Sequence, residues 1–288
     1  MNMPKIPQKY HAIDEEQDKQ GKQGKQGKQG KQGKQGNHEI HESIIQAQPI
    51  EPSSGPTLDM TIINALTPQP TRKAFITRVY SILWLQLLVT SIFIGCCNQI
   101  QPLQTFMMSP VGITLMWISI VLLLVLTCAL HCLRERLKSC PCSGIYLTIF
   151  TIITTYILGS VGIVYKLSTL LLAGISTLGI FSGLSLYAVQ TKYDYTDKGG
   201  YLLASLVGLL IGGFFISFTH YQVLSIIYSS LGSIIFSFYI VYDTQLIIGG
   251  EHRKIMFHTD DYVLAAISLY LDIINLFLYL LDILNGRN

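Results

Sequence analysis

Apolar runs follow one another along the chain from about residue 79 to the C-terminus, separated by short polar connections. A helix that crosses a bilayer needs about 20 mostly apolar residues. Strands of a membrane barrel need only about 9 to 11 and alternate polar with apolar positions, which these runs do not. The pattern therefore predicts an all-α, polytopic membrane bundle of seven helices, at 79–97, 111–132, 144–164, 167–189, 201–218, 223–248 and 262–284.

The first seventy residues have a different character. The triplet Lys-Gln-Gly repeats six times over residues 19–36, and a proline-rich stretch continues to Pro70. Such a polar tract, without apolar residues, cannot build a packed core. We therefore expect a disordered cytosolic tail at 1–70 in front of a membrane domain at 71–288. Since no apolar signal segment is visible, the first helix is expected to direct insertion.

Composition agrees with this division. Half of the 288 residues are hydrophobic and only 13% are charged, which would leave a soluble globule with too little polar surface. The net charge is only +3, and many of the lysines lie in the Lys-Gln-Gly repeat and not on a folded basic face, so nucleic acid is not an expected partner. The motifs typical of soluble enzymes are absent from the sequence. We expect no catalytic residues and no cofactor.

Charges in the connections predict the orientation. Ten lysines and arginines fall on the side of the tail, and only Lys166 and Arg287 on the other. By the positive-inside rule, the N-terminus is cytosolic. With seven spans the C-terminus is lumenal; with six spans and a re-entrant segment it would be cytosolic. The sequence leaves both open.

Two aspartates lie inside the last two predicted helices. Asp243 is five residues from the end of the sixth, roughly 7 Å deep, and Asp272 is roughly 15 Å deep in the seventh. An ionised carboxylate at a helix centre costs roughly 2.5 to 3.5 kcal/mol on insertion scales. The polar residues of the seventh helix recur at intervals of four and three, which aligns them on one face that must point into the bundle; they are Ser268, Asp272, Asn275, Tyr279 and Asp282.

The last two helices are expected to be antiparallel neighbours, so the side chains of their two acids can come into contact. Two buried carboxylates cannot both ionise cheaply, and they would share a proton. When both ionise, they would offer oxygen ligands suited to Ca²⁺, so Asp243 and Asp272 are the candidate proton sensor and metal site. The alternative is that each acid bonds separately to serine or tyrosine hydroxyls. Arg134, at the end of the second helix, either snorkels to the interface or swings inward to Asp243 as a latch.

Four blocks of the sequence carry a family resemblance: RKAFITRVYSILWLQLLVT at 72–90, TKYDYT at 191–196, LGSIIFSFYIVYDTQLIIGG at 231–250 and DDYVLAAISLYLDIINLFLYLL at 260–281. They are similar to the transmembrane Bax inhibitor motif family, most closely its Lifeguard branch. The resemblance implies seven helices with the last one central. It also implies a pH-sensing pair at Asp243 and Asp272 and an arginine latch near Arg134, for which Arg136 is a second candidate.

From this resemblance we expect a pH-sensitive calcium leak pathway that inhibits cell death. The expected location is the endoplasmic reticulum or Golgi membrane, and the expected partners are lipid, calcium ions and cell-death regulatory proteins. The alternative from another class is an anti-apoptotic interaction protein without ion conduction of its own.

Overall fold

The structure, a computed structural model, describes residues 69–132, 142–218, 221–250 and 252–286. Both latch candidates, Arg134 and Arg136, and the predicted tail up to residue 68 lie outside these ranges, whereas Gln69 and Pro70 belong to the first helix. The described residues form eight α-helices: α1 Gln69–Gln99, α2 Gln101–Met108, α3 Pro110–Cys132, α4 Cys142–Gly162, α5 Leu167–Gln190, α6 Gly199–Ile216, α7 Gln222–Ile248 and α8 Tyr262–Asn285. A short 3-10 turn, Thr196–Lys198, precedes α6.

Seven of these helices, all except α2, are long and apolar enough to cross a membrane. The predicted seven-helix membrane bundle is therefore confirmed. The helix α2 was not predicted, because at eight residues with three polar side chains it has no apolar run of its own. It begins with Pro102 in its first turn, where the missing N–H of proline costs no helical hydrogen bond.

The first helix begins at Gln69 and not at residue 79. Hydropathy marks the apolar part of a helix and misses a polar beginning. Here the polar beginning of the helix carries Arg72, Lys73 and Arg78. The extra turns have a use, since Phe75 is buried in the bundle and Arg72 reaches the end of α7.

The last helix is the centre of the bundle, as expected. α8 packs against α1, α4, α5 and α7, and 61% of its most apolar stretch is buried, against 6 to 39% in the other six spans. The outer helices α3 and α6 expose large apolar side chains such as Trp117 and Phe214, which suits a lipid surround. The interior of the bundle is where polar side chains can find partners.

A small residue permits close contact between α7 and α8. Gly179 and Gly183 on α5 have open space where a Cβ would be, so this Gly-x-x-x-Gly pair brings no helix close. At Gly232 on α7, by contrast, an added Cβ would lie 2.6 Å from the Tyr279 ring of α8. The two helices that carry the acids are thus closely packed at Gly232.

Candidate functional site: a buried acid pair under a polar cap

The structure brings Asp243 and Asp272 together. α7 and α8 are neighbours joined by the connection 249–261, and their acids are 6% and 5% exposed. The two carboxyl groups lie within hydrogen-bonding reach of each other. Two ionised carboxylates offer only acceptors, so a hydrogen bond between them requires a proton on one.

Side-chain direction reduces the difference in depth between the acids. Side chains in an α-helix lean toward the N-terminus of their own helix. Because α7 and α8 are antiparallel, the side chain of Asp243 leans away from their connection while that of Asp272 leans toward it. The two carboxyl groups therefore converge although their backbones differ in depth.

A tyrosine lies near the acid pair. Tyr239, one helical turn before Asp243, shares its helix face and is close enough to both acids to interact with them electrostatically. Among the described residues, neither acid forms an ion pair with an arginine or lysine. Asp272 Oδ2 is buried and accepts no hydrogen bond from an N–H or O–H group of the described residues. Within that part of the chain, no positive charge neutralises the acid pair.

The other members of the predicted polar face have separate roles. Asp282 Oδ2 accepts hydrogen bonds from Ser225 Oγ at 2.9 Å and Ser229 Oγ at 2.6 Å, which ties the far ends of α7 and α8 together. Asn275 Nδ2 donates to Leu271 O of its own helix at 2.8 Å. Ser268 is half-buried.

A polar cap closes the end of the bundle nearest the pair. We define the cap as Arg72 with the two connections 191–198 and 249–261. The Arg72 guanidinium donates to Ile248 O at 3.2 Å, Leu246 O at 2.8 Å and Phe257 O at 2.6 Å. The last carbonyls of a helix have no partner within it, so Arg72 satisfies the end of α7 and its dipole.

Arg253 does the same for α5. This buried side chain donates to Ala188 O at 3.1 Å, to Thr191 O at 2.7 Å and to Tyr193 O. Gln245, fully buried in the last turn of α7, donates to Tyr193 O at 3.0 Å and accepts from Tyr195 N at 2.8 Å. The two connections are thus fixed to the helix turn that follows Asp243.

One carboxylate holds the two connections of the cap together. Asp194 Oδ1 accepts from both the backbone and the hydroxyl of Thr196, at 2.9 and 2.6 Å, and its Oδ2 accepts from Lys254 N at 3.0 Å. Burial raises the pKa of Asp194, but these hydrogen bonds outweigh burial and lower the pKa below its usual value of 3.8. Asp194 is therefore ionised near neutral pH.

The donor set suits a hydrated or partly hydrated cation better than a tightly held metal ion. No group of three or more His, Cys, Asp or Glu side chains able to hold a metal occurs among the described residues. Ca²⁺ takes 6 to 8 oxygen ligands, so the two carboxyls would need hydroxyl, carbonyl or water oxygens beside them.

Sequence reasoning missed Tyr239 and both capping arginines. Tyr239 was detectable, because a residue four positions before Asp243 shares its helix face. Arg72 and Arg253 were read only as charges outside the membrane. Their roles depend on which helix ends lie near them, which spacing along the chain does not reveal.

A buried acid pair inside seven apolar helices defines an integral membrane helix bundle with an ionisable core. Residues 72–288 match the family model described as "Inhibitor of apoptosis-promoting Bax1". Protein lifeguard 3 of Homo sapiens is 30% identical over 221 residues, 75% of this chain and 70% of that protein. Protein lifeguard 4 of Mus musculus is 35% identical over 217 residues, 75% of this chain and 87% of that protein.

The Golgi anti-apoptotic protein of vaccinia virus (strain Lister) is also similar, at 35% identity over 219 residues, 75% of this chain and 87% of the viral protein. The chain belongs to the Bax inhibitor family, and Lifeguard proteins are among its relatives. The family resemblance expected from the four sequence blocks is confirmed.

Proposed function

We propose that this protein forms a pH-sensitive calcium leak pathway in an intracellular membrane and inhibits cell death. The observation that carries the proposal is the contact between the Asp243 and Asp272 carboxyl groups, both buried and within hydrogen-bonding reach. Ionisable groups inside a membrane bundle are costly and typically mark ion or proton pathways.

The pair has three charge states. With two protons it is neutral and gives a cation little attraction. With one proton, the carboxyls share it, because two charges at this distance repel strongly. With none, the pair carries two negative charges, which Ca²⁺ can neutralise. Calcium and protons therefore compete, and calcium binding weakens as pH falls.

The groups facing the pair reinforce this competition. Tyr239 lies near both acids, and a neutral phenol brings no positive charge that would neutralise the pair. Arg134 is the proposed external counter-charge, acting as a latch on Asp243.

The cell-death role and the location rest on the relatives. The matching family is described as an inhibitor of apoptosis-promoting Bax1, and one relative is named a Golgi anti-apoptotic protein. The Golgi or endoplasmic reticulum membrane is accordingly the proposed site. A cytosolic N-terminus is supported by the basic residues gathered at the capped end, where Arg72 lies with Arg253 and Lys254.

The test is calcium flux in liposomes reconstituted with the purified protein, measured over a range of pH. Wild type is expected to pass Ca²⁺ with a pH-dependent rate. The double variant Asp243→Asn, Asp272→Asn is expected to lose the pH dependence. Asp282→Asn is the matched control, since this acid lies on the same helix with serine partners of its own. Unchanged flux and pH profile in the double variant would refute the pathway.

The second candidate function is an anti-apoptotic interaction protein whose effects on calcium are indirect. What favours it is that the names of the family and the viral relative concern apoptosis and not ion transport. In cells exposed to a death stimulus, protection that survives the double Asn change but is lost when the 191–198 connection is altered would support this alternative.

A further inference from the structure

Three hydroxyl groups from three helices converge between the acid pair and the cap. Tyr80 lies on α1, Ser185 on α5 and Thr244 on α7, and the Tyr80 hydroxyl approaches both of the others. Thr244 is fully buried. Yet Ser185 Oγ and Thr244 Oγ1 are buried atoms that make no hydrogen bond of normal geometry.

These two hydroxyls differ from most others in the bundle. A serine or threonine inside a helix usually donates to the carbonyl four residues earlier, as Thr154 does to Phe150 O and Thr177 to Ala173 O. Ser185 and Thr244 make no such bond. A buried hydroxyl without a well-formed hydrogen bond is unfavourable, so both groups keep hydrogen-bonding capacity for a small molecule beside Tyr80.

The hydroxyl cluster lies next to both the acid pair and the cap along α7. Thr244 follows Asp243 directly and precedes Gln245, which holds the connection 191–198. One residue further, Leu246 O accepts from Arg72. The hydroxyls therefore occupy the level between the acids and the cap.

We infer that Tyr80, Ser185 and Thr244 form a binding site for a water molecule. A water can accept from one hydroxyl and donate to two, and a buried water typically has two to four polar partners. None of the three side chains is charged, which suits a neutral ligand better than a metal ion. The role of this water rests on the proposed function. A proton, or a water molecule released from the hydration shell of Ca²⁺, passes through this site between the acid pair and the cap.

Hydroxyl-radical footprinting of the full-length protein in lipid tests the inference, because tyrosines beside bound water are oxidised faster than dry ones. Two internal references are available: Tyr270, fully buried and bonded to Thr90 Oγ1 at 2.8 Å, should react slowly, and the exposed Tyr193 should react fast. Tyr80 is expected to react several-fold faster than Tyr270. Equal rates for Tyr80 and Tyr270 would overturn the inference.

Variants separate a bound water from mere exposure of Tyr80. Thr244→Val keeps the shape of the side chain and removes the hydroxyl, and with Ser185→Ala it should reduce Tyr80 oxidation several-fold toward the rate of Tyr270. Thr244→Ser keeps the hydroxyl and should leave the rate near wild type. Oxidation that is unchanged in the double variant would contradict the water site.

The footprint is independent of ion transport. If the double Asn variant retains normal flux, the leak pathway fails while the water site stands or falls on Tyr80 alone. If the leak pathway holds, Thr244→Val is expected to slow flux several-fold while leaving its pH midpoint in place, since both acids remain.

Discussion

Replacing Arg72 with methionine should loosen the cap and destabilise the membrane domain. The guanidinium makes three hydrogen bonds, at 2.6, 2.8 and 3.2 Å, to carbonyls of α7 and of the connection that follows it. It also lies over the Phe75 ring, 4.9 Å from the ring centroid. Methionine preserves much of the apolar stem and removes every donor.

The magnitude follows from the kind of bond lost. A hydrogen bond that involves a charged group contributes about 1.5 to 3 kcal/mol. Arg72 is only half-buried, and water can replace part of what is removed, so the total is about 3 kcal/mol and not the sum of three bonds. For a domain of this size, that corresponds to a melting temperature lower by about 6 to 12 °C.

The assay is thermal unfolding of the purified protein in detergent, followed by a thiol-reactive dye. Lys73→Met is the matched control, because it removes the same charge from the next, exposed residue. Arg72→Lys should recover part of the loss, since an ammonium cannot reproduce the planar fork of donors. An Arg72→Met protein as stable as Lys73→Met would refute the capping role.

Two further predictions concern the cap and the helix packing. Asp194→Asn should destabilise the protein at neutral pH and flatten its acid response: the lowered pKa means that the stability contributed by Asp194 is present above pH 3.8 and lost as pH falls through the folded-state value. Asp197→Asn, which breaks the exposed pair with Lys254, should change stability much less in the same denaturation series, because solvent screens an exposed ion pair. Gly232→Ala should lower the melting temperature by the equivalent of about 1 to 3 kcal/mol through its clash with Tyr279, whereas Gly174→Ala, facing open space, should not.

The architecture was predictable because the membrane restricts the choices. Apolar runs too long for strands leave helices as the only spanning structure, and their number followed from counting. The central position of the last helix was expected from family resemblance, and its polar face at intervals of four and three agrees with that position. One member of that face, Asp282, finds its hydrogen-bond partners on the neighbouring helix, where Ser225 and Ser229 lie.

What the sequence could not supply were contacts between distant segments. Arg253 and Gln245 both bind Tyr193 O, about fifty to sixty residues away along the chain, and no local pattern encodes such a meeting. The difference in depth between Asp243 and Asp272 looked like an obstacle when only backbone rise was counted. The lean of side chains on antiparallel helices reduces it, and the connection folds back beside α7, where Phe257 N donates to Leu246 O.

The shared proton is the central claim, and infrared titration of the carboxyl groups in lipid tests it most directly. Near neutral pH, wild type is expected to show the band of a protonated carboxyl, which disappears as pH rises or as Ca²⁺ is added. Asp243→Asn and Asp272→Asn should each abolish this band, while Asp282→Asn retains it. A wild-type spectrum without a protonated carboxyl near neutral pH, or a band that either single variant leaves unchanged, would contradict the account.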